Sequence, residues 1–345
     1  MTTYLLIDTL NMFMRCKHVV QAPTPEDKAA MAVHINFRSI RKVWNKFKAD
    51  HLVFCLEGDS WRKAAYARYK ANRVVSDVAL TPDEIELAEC FWKAYEDFIE
   101  LIRDHSNATV LRHEIAEADD LIARWIATHP DDNHVIVSSD SDFIQLVAEN
   151  VSLYNGIQDT LITTKGVFDH RDRRVDFSIK NDGKIKLSKT LLRDTDSADV
   201  CPDWIEYSLF SKIMRGDKGD NIFTACQPGT RQKGSAKKVG IWECFQDRHD
   251  RGFDWFNFMN QRWTDHESEE HIVRDLFERN EMLIDLKKMP KLVSDALDEY
   301  ILGYQKEPAS QLGFYFLRFL HQYSLEDIKK NPNEIVEMLN AQIPN

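Results

Sequence analysis

No apolar run in this 345-residue sequence approaches the roughly 18–20 residues that a membrane-spanning helix needs. The opening MTTYLLIDTLNM has no basic stretch before its apolar residues and sets an aspartate among them, so it does not read as a signal peptide. The six cysteines (Cys16, Cys55, Cys90, Cys201, Cys226 and Cys244) form no CxxC pair. That argues against a zinc ribbon or a disulfide framework and for reduced thiols in a cytoplasm. A Gly-rich nucleotide loop and a Ser/His/Asp arrangement are both missing. None of the twelve histidines, His113, His266 and His271 included, has convincing metal-ligand spacing. There is no internal repeat and no low-complexity linker. A basic excess is missing too: the net charge of −11 at face value counts against a nucleic-acid partner.

What is present is globular composition, 43% hydrophobic and 29% charged, long enough for one large domain or two ordinary ones. YLLID (4–8), HLVFCLE (51–57), ATVLR (108–112), HVIVSSD (134–140) and VSLYN (151–155) are short and apolar, as strands buried on both faces should be. Helical patterns separate them. Thr81-Pro82-Asp83-Glu84 is a capping box that opens one helix, and IAEADDLIARWIATH (115–129), closed by Pro130, is another. This alternation predicts an α/β fold, a mainly parallel central sheet flanked by helices. A hairpin is expected within Arg171–Lys189, and a mostly helical part beyond it, apart from QPGTRQKGSAKKVG (227–240). The expected division is 1–190 for the sheet domain and 191–345 for the helical one.

The acids are not scattered. Asp8 and Glu57 end the first two strands, Asp140 ends the fourth and Asp142 follows it. Glu117, Asp119 and Asp120 lie where the 115–129 helix begins, and Asp217 and Asp220 each follow a glycine in MRGDKGDNI. Singly, each acid has an ordinary reading, as a helix-dipole partner or a turn residue. Together they do not, because two like charges 4 Å apart repel by about 4 kcal/mol at an effective dielectric near 20. Oxygen donors without cysteine or histidine select hard cations, Mg²⁺ or Mn²⁺, and such ions in a cleft suit phosphoryl chemistry.

The counterpart is SWRKAAYARYKANRVV (60–75), with Arg62, Lys63, Arg68, Lys70 and Arg73, interleaved aromatics and no acid. Bases stack on aromatic rings and phosphates pair with cations, so the composition suits a nucleic-acid strand, although a solvated helix face is the ordinary alternative. A second basic stretch holds Arg231, Lys233, Lys237 and Lys238. Setting aside the nine candidate acids, the remaining chain carries a net charge of only about −2.

In order and spacing, Asp8, LEGDSWRKAAYARYKANR, EIAEADDLIA, SSDSDF and GDKGDN resemble the 5′-nuclease or flap endonuclease superfamily, most nearly its phage RNase H branch. The resemblance implies a two-metal nuclease acting 5′→3′ on 5′ flaps, duplex DNA and RNA–DNA hybrids, and removing RNA primers in phage-type replication. By match, Asp8, Glu57, Asp119 and Asp140 surround a first metal, with Glu117 and Asp120 adjoining. Asp142, Asp217 and Asp220 surround a second. Two Mg²⁺ or Mn²⁺ ions are the implied cofactors. Residues 60–85 match the family's arch, with Lys70 and Arg73 contacting the scissile phosphate, and a helix-three-turn-helix within 205–245 binds duplex. A monomer is expected, with no membrane partner, and a single-strand-binding protein or sliding clamp stays open as a partner. Two departures stand out. In the LEGD run either Glu57 or Asp59 is the second-strand acid, and IFTACQPGTRQKGSAKKVG is longer than the family's glycine-rich turn. A catalytically silent structure-specific binder and a metal-dependent phosphatase are the rival readings.

Overall fold

The computed structural model describes residues 1–20, 22–73, 81–193, 203–235 and 238–343. Lys237, Cys201, part of the expected arch (74–80) and the stretch 194–202 lie outside the described residues.

A nine-stranded sheet forms the centre, in the order β3-β2-β1-β4-β5-β6-β7-β8-β9. Strands β1 (Thr3–Asp8), β2 (His51–Cys55), β3 (Thr109–Leu111), β4 (Asn133–Val137) and β5 (Val151–Asn155) are parallel throughout. Their residues are apolar on both faces because helices cover both. On one face lie α1 (Thr9–Val19), α2 (Pro25–Phe47) and α4 (Pro82–His105), and on the other α5 (Ala118–Thr128). The short α3 (Trp61–Ala65) stands between β2 and the basic segment. The capping box at Thr81 opens α4 as its sequence indicates.

The register places Asp8 beside Cys55 and Ile7 beside Val137, so β1, β2 and β4 end on one edge. The chain fills the β2–β3 side of β1 before it crosses to β4. The β1/β4 boundary is therefore where following connections part, the position at which open α/β sheets leave a crevice. Asp8 and Asp140 flank it.

Several elements differ from the sequence expectation. Strand β2 stops at Cys55 and β4 at Val137, so Glu57 and Asp140 sit in the loops just beyond. After Cys55 the backbone is still bound, Leu56 N–H to Leu111 O at 2.9 Å and Gly58 N–H to Ala116 O at 3.0 Å, but not as a ladder. Past β5 the sheet turns antiparallel, through β6 (Thr160–Thr163), β7 (Gly166–Phe168) and the expected hairpin β8 (Arg174–Ile179)–β9 (Ile185–Leu191).

Beyond it come α6 (Trp204–Arg215), α7 (Ile241–Gln246), α8 (Phe253–Met259), α9 (Val273–Ile284), α10 (Lys291–Leu302), α11 (Leu312–Gln322), α12 (Glu326–Lys329) and α13 (Asn333–Asn340). A two-stranded ribbon, β10 (Arg262–Thr264) with β11 (Glu270–Ile272), interrupts them. Helices α6 to α9 share a core of their own with Tyr69. By contrast α10 buries Val293, Leu297 and Ile301 in the core with α5, and α11 and α13 bury Phe316, Phe319, Met338 and Leu339 against α2 and α4. Among the described residues no helix is long and apolar enough to cross a membrane.

Candidate active site

Asp8 is 6% exposed at the end of β1. Its carboxylate accepts from Ser138 Oγ at 2.8 Å and from Asn11 N at 3.4 Å, which caps α1. Burial, opposed by the Ser138 bond and reinforced by nearby Glu57 and Asp140, pushes its pKa up to about 7. Asp140 caps the short 3₁₀ turn Ser141–Leu146 by accepting from Asp142 N at 3.0 Å. Desolvation in the cleft and then the Asp142 charge raise it to about 6. Glu57 accepts from Ala118 N at 3.3 Å, and burial followed by the charge of Glu117 raises its pKa as well. Asp59 is exposed and ion-paired with Lys63, so of the two alternatives the fold places Glu57 among the acids.

Glu117, the N-cap of α5, is buried yet ringed by donors: Ser60 Oγ at 3.0 Å, Arg62 Nη1 at 3.2 Å, Tyr69 OH at 2.7 Å and Lys70 Nζ. Burial works against the charge, but Lys70 and Arg62 outweigh it and hold the pKa below the usual carboxylate value. Asp119, next along, is pushed well above its ordinary value by burial, against the pull of Arg62.

Two expectations are corrected here. Arg62, expected at a nucleic-acid surface, is 2% exposed and donates to Asp120 through Nη1 at 2.9 Å and Nη2 at 2.8 Å, and to Leu283 O at 2.8 Å. A guanidinium so enclosed is a strut between α3, the start of α5 and the end of α9, not a phosphate contact. Asp120, fully buried, spends both oxygens on that fork and on Glu117 N, and is withdrawn from the metal ligands. The reason is geometric: three residues after the N-cap it points back into the cap, while Asp119 points out.

The remaining acids come from the turn after α6. Gly216 has φ +70° and a Cβ there would lie 2.2 Å from Ile222 O, so only glycine permits the Asp217–Ile222 backbone pair that closes the turn. Asp217 accepts from Gly219 N at 2.7 Å, and Lys212 and these amides hold its pKa down despite burial. Burial raises Asp220, against Lys70. Lys212, 8% exposed on α6, donates to Asp142 and lies 2.6 Å from Asp217. Lys70, unlike Lys212, bridges the two acid groups: it touches Glu117, lies 3.9 Å from Asp220, and its backbone N–H bonds Asp220 O at 2.9 Å. Arg73 donates to Asp220 at 2.7 Å.

The expected acids other than Asp120 thus interact along one edge, interleaved with ammonium groups. Among the described residues the only three acid or histidine ligand atoms within 4.8 Å of one another belong to Asp265, Glu269 and His271, in the β10–β11 ribbon. In the cleft, lysines stand where the charges would otherwise repel. Sequence reading missed Lys212, Ser138 and Ser60, and read Tyr69 only as one of the aromatics interleaved in the basic segment. Of the three missed, only Lys212 left a signal, a cation on the buried stripe of a helix five residues before Asp217. The other basic residues separate. Lys63 pairs with Asp59 and Arg68 with Glu267 at 3.2 Å. Arg231 lines a cleft of about 720 Å³ with Lys212, Asp217 and Lys218. Lys233 and Lys238 are exposed on the 227–240 loop, which Glu243 braces through Gly234 N at 2.8 Å and Gly240 N at 2.9 Å.

Comparison with known proteins bears on this cleft. Residues 3–172 match the family described as 5′–3′ exonuclease, N-terminal resolvase-like domain. The flap endonuclease Xni of Shewanella halifaxensis is 29% identical over 167 residues, 47% of this chain and 60% of that protein. DNA polymerase I of Treponema pallidum is 32% identical over 160 residues, 44% of this chain and 15% of that one. The match therefore spans less than two thirds of either relative. Among solved structures, the bacteriophage T5 D15 protein co-crystallised with metal ions superposes with a TM-score of 0.56 at 18% identity, covering 87% of this chain and 98% of that one. The T5 D15 flap endonuclease complex with DNA and metal ions gives 0.56 at 19% identity, with the same coverage. By the domain matched over residues 3–172 and the fold built around it, the chain belongs to the 5′-nuclease, or flap endonuclease, superfamily.

Proposed function

We propose that the protein is a divalent-metal-dependent, structure-specific 5′ nuclease that hydrolyses phosphodiesters of 5′ flaps and RNA–DNA hybrids, 5′→3′, and removes RNA primers during phage-type replication. One observation carries the reading: a line of carboxylates at the crevice edge of the sheet, joined at its middle by Lys70 and Arg73 of the basic segment. A binder of phosphate needs the cations and not the acids.

The donor set fits two hard cations. Asp8, Glu57, Glu117, Asp119 and Asp140 would hold one, and Asp142, Asp217 and Asp220 the other. Bound Mg²⁺ or Mn²⁺ would activate a water and neutralise the leaving oxygen. The protein's own part is distinct. Burial raises the Asp8 pKa to about 7, so a cation held there would bind with release of a proton from this carboxyl. Lys70 and Arg73, between the acid groups, steady the phosphate under attack. Residues 1–190 carry most of the acids and the phosphate contacts, while 205–245 adds Asp217 and Asp220 and, with Arg231, Lys233, Lys237 and Lys238, grips duplex. The flap endonucleases among the similar proteins support flap cleavage, and the hybrid substrate rests on the RNase H likeness of the motifs.

The test is a gel assay on a 5′-flap DNA and an RNA–DNA hybrid, labelled at each end, with Mg²⁺ or with EDTA. Cleavage in Mg²⁺ that stops in EDTA is expected. Asp140→Asn should lose most turnover but keep duplex binding. Lys70→Ala or Arg73→Ala should each lower the single-turnover rate at saturating substrate by about 10²-fold. Full activity after chelation sinks the metal reading, and unchanged saturated rates reassign Lys70 and Arg73 to capture.

A further inference from the structure

The two edges of the nine-stranded sheet are finished differently. At one, the seven-residue β9 carries exposed Lys186 and Lys189, charges of the kind that keep an edge from pairing with another chain. At the other, β3 and Ala108 before it read ATVL and hold no charge. An apolar edge strand with free amides is a template for one more strand.

Within β3, Thr109 and Leu111 face β2. They pair with Val53 and Cys55, Thr109 N–H donates to His51 Nε2 at 3.3 Å, and Leu111 O accepts from Leu56 N–H at 2.9 Å. Successive residues of a strand turn their backbone groups to opposite sides, so Ala108, Val110 and Arg112 present theirs to the free edge. Side chains meet them there. Val110 N–H donates to Tyr304 OH at 3.2 Å, Arg112 N–H donates to Tyr300 OH at 3.2 Å, and Ala108 O accepts from Lys306 Nζ at 2.8 Å.

All three side chains come from the end of α10 and the turn after it, where Tyr304 N–H still bonds Ile301 O at 3.2 Å. Spacing explains the match. Residues four apart on a helix are about 6 Å apart along its axis, and residues two apart on a strand about 6.6 Å. The helix end runs antiparallel to β3, so that 300, 304 and 306 meet 112, 110 and 108 in turn. Lys306 Nζ also donates to Ile102 O at 3.2 Å, and the Tyr300 ring stands edge-on to His113 with centres 5.2 Å apart, which holds both side chains in place.

We infer that Tyr300, Tyr304 and Lys306 act as a surrogate strand that covers β3 and keeps a second copy of this chain from extending the sheet there. A second copy would bring the same apolar strand, and a two-fold axis would pair the two β3 strands antiparallel into one continuous sheet. The inference stands apart from the nuclease reading, because no cleavage assay enters its test.

The test uses the full chain with Tyr300→Phe, with Tyr304→Phe and with both, which removes the hydroxyls and keeps the rings. Exchange of single amides is followed by NMR, and mass by sedimentation velocity over a range of concentrations. Tyr300→Phe should speed exchange at Arg112, and Tyr304→Phe at Val110, each by about tenfold and neither at the other's amide. The double variant, with Lys306→Met added, should form a concentration-dependent dimer and bind a synthetic peptide of residues 107–113. Wild type should do neither. Unchanged exchange in the single variants, each a change of one hydroxyl that leaves the core intact, overturns the inference even if the multiple variant unfolds. So does a multiple variant that exchanges faster yet stays monomeric and ignores the peptide, or a wild type that dimerises through β3.

Discussion

Asp8 is a carboxylate held out of water beside two others, and such a group prefers its proton. With a folded pKa of about 7 against an ordinary 3.8, the folded chain binds that proton more tightly than the unfolded one. The stability this confers is complete below pH 4 and is lost as the pH rises through 7. Asp8→Asn removes the charge, keeps Oδ1 as acceptor for Asn11 N–H, and sets its Nδ2 to donate to the Ser138 hydroxyl oxygen in place of the bond it loses. In EDTA it should therefore stabilise the protein at pH 8, by on the order of 2–4 kcal/mol, and by clearly less at pH 5. Urea midpoints at the two pH values check this, and a difference independent of pH would show that Asp8 is solvated like a surface acid. The same reasoning explains why Lys70 and Lys212 stand where they do. Their pKa values are raised despite burial because each sits between two carboxylates.

At the scale of elements, the β8–β9 hairpin is tied to the site by its turn. Gly183 has φ +82°, a Cβ there would meet Ser208 O at 2.2 Å, and Ser208 Oγ donates to Gly183 O. The turn thus rests on α6 one helical turn before Lys212. Gly229 also has positive φ, +85°, but nothing lies within 4 Å of its Cβ position. Gly229→Ala should cost about 1 kcal/mol, from backbone strain alone. Gly183→Ala should cost about 1–3 kcal/mol more and open the β8–β9 amides to hydrogen exchange. Equal costs would mean that the hairpin does not depend on this docking. The helices around the site were readable as elements because capping boxes and apolar stripes are local. The β10–β11 ribbon and the β6–β7 extension were not, since three- or four-residue strands leave too short an alternation to see.

For the whole molecule, the last helices matter more than their place in the chain suggests. Leu312, Phe316, Phe319, Leu320, Met338 and Leu339 pack into the core formed by α2, α4 and one face of the sheet. Asn107 N–H bonds Leu339 O at 2.8 Å, which fixes the return. A chain ending at residue 311 exposes that core. It should lose its cooperative thermal transition and bind a hydrophobic dye, since removing several buried aromatic and leucine side chains outweighs the stability of an ordinary domain. A cooperative melt in the shortened chain would show that these helices are an appendage.

The amino-acid sequence by itself determined the parallel half of the sheet, the edge to which its acids run, and the basic segment that faces them. Short continuous apolar runs and the residues at their ends are local, and parallel register then aligns those ends. It also carried, in the order of its motifs, the family to which the chain belongs. Only the tertiary structure decided what each charge is used for. Arg62 and Arg73 look alike in the sequence, yet one is sealed into a fork on Asp120 and the other faces the cleft. Asp119 and Asp120 are neighbours, and a capping geometry sends one outward and the other inward. Lys212 became part of the site because α6 returns to the sheet edge seventy residues after Asp142. Burial and charge partners are properties of long-range contact, and a local pattern does not contain them.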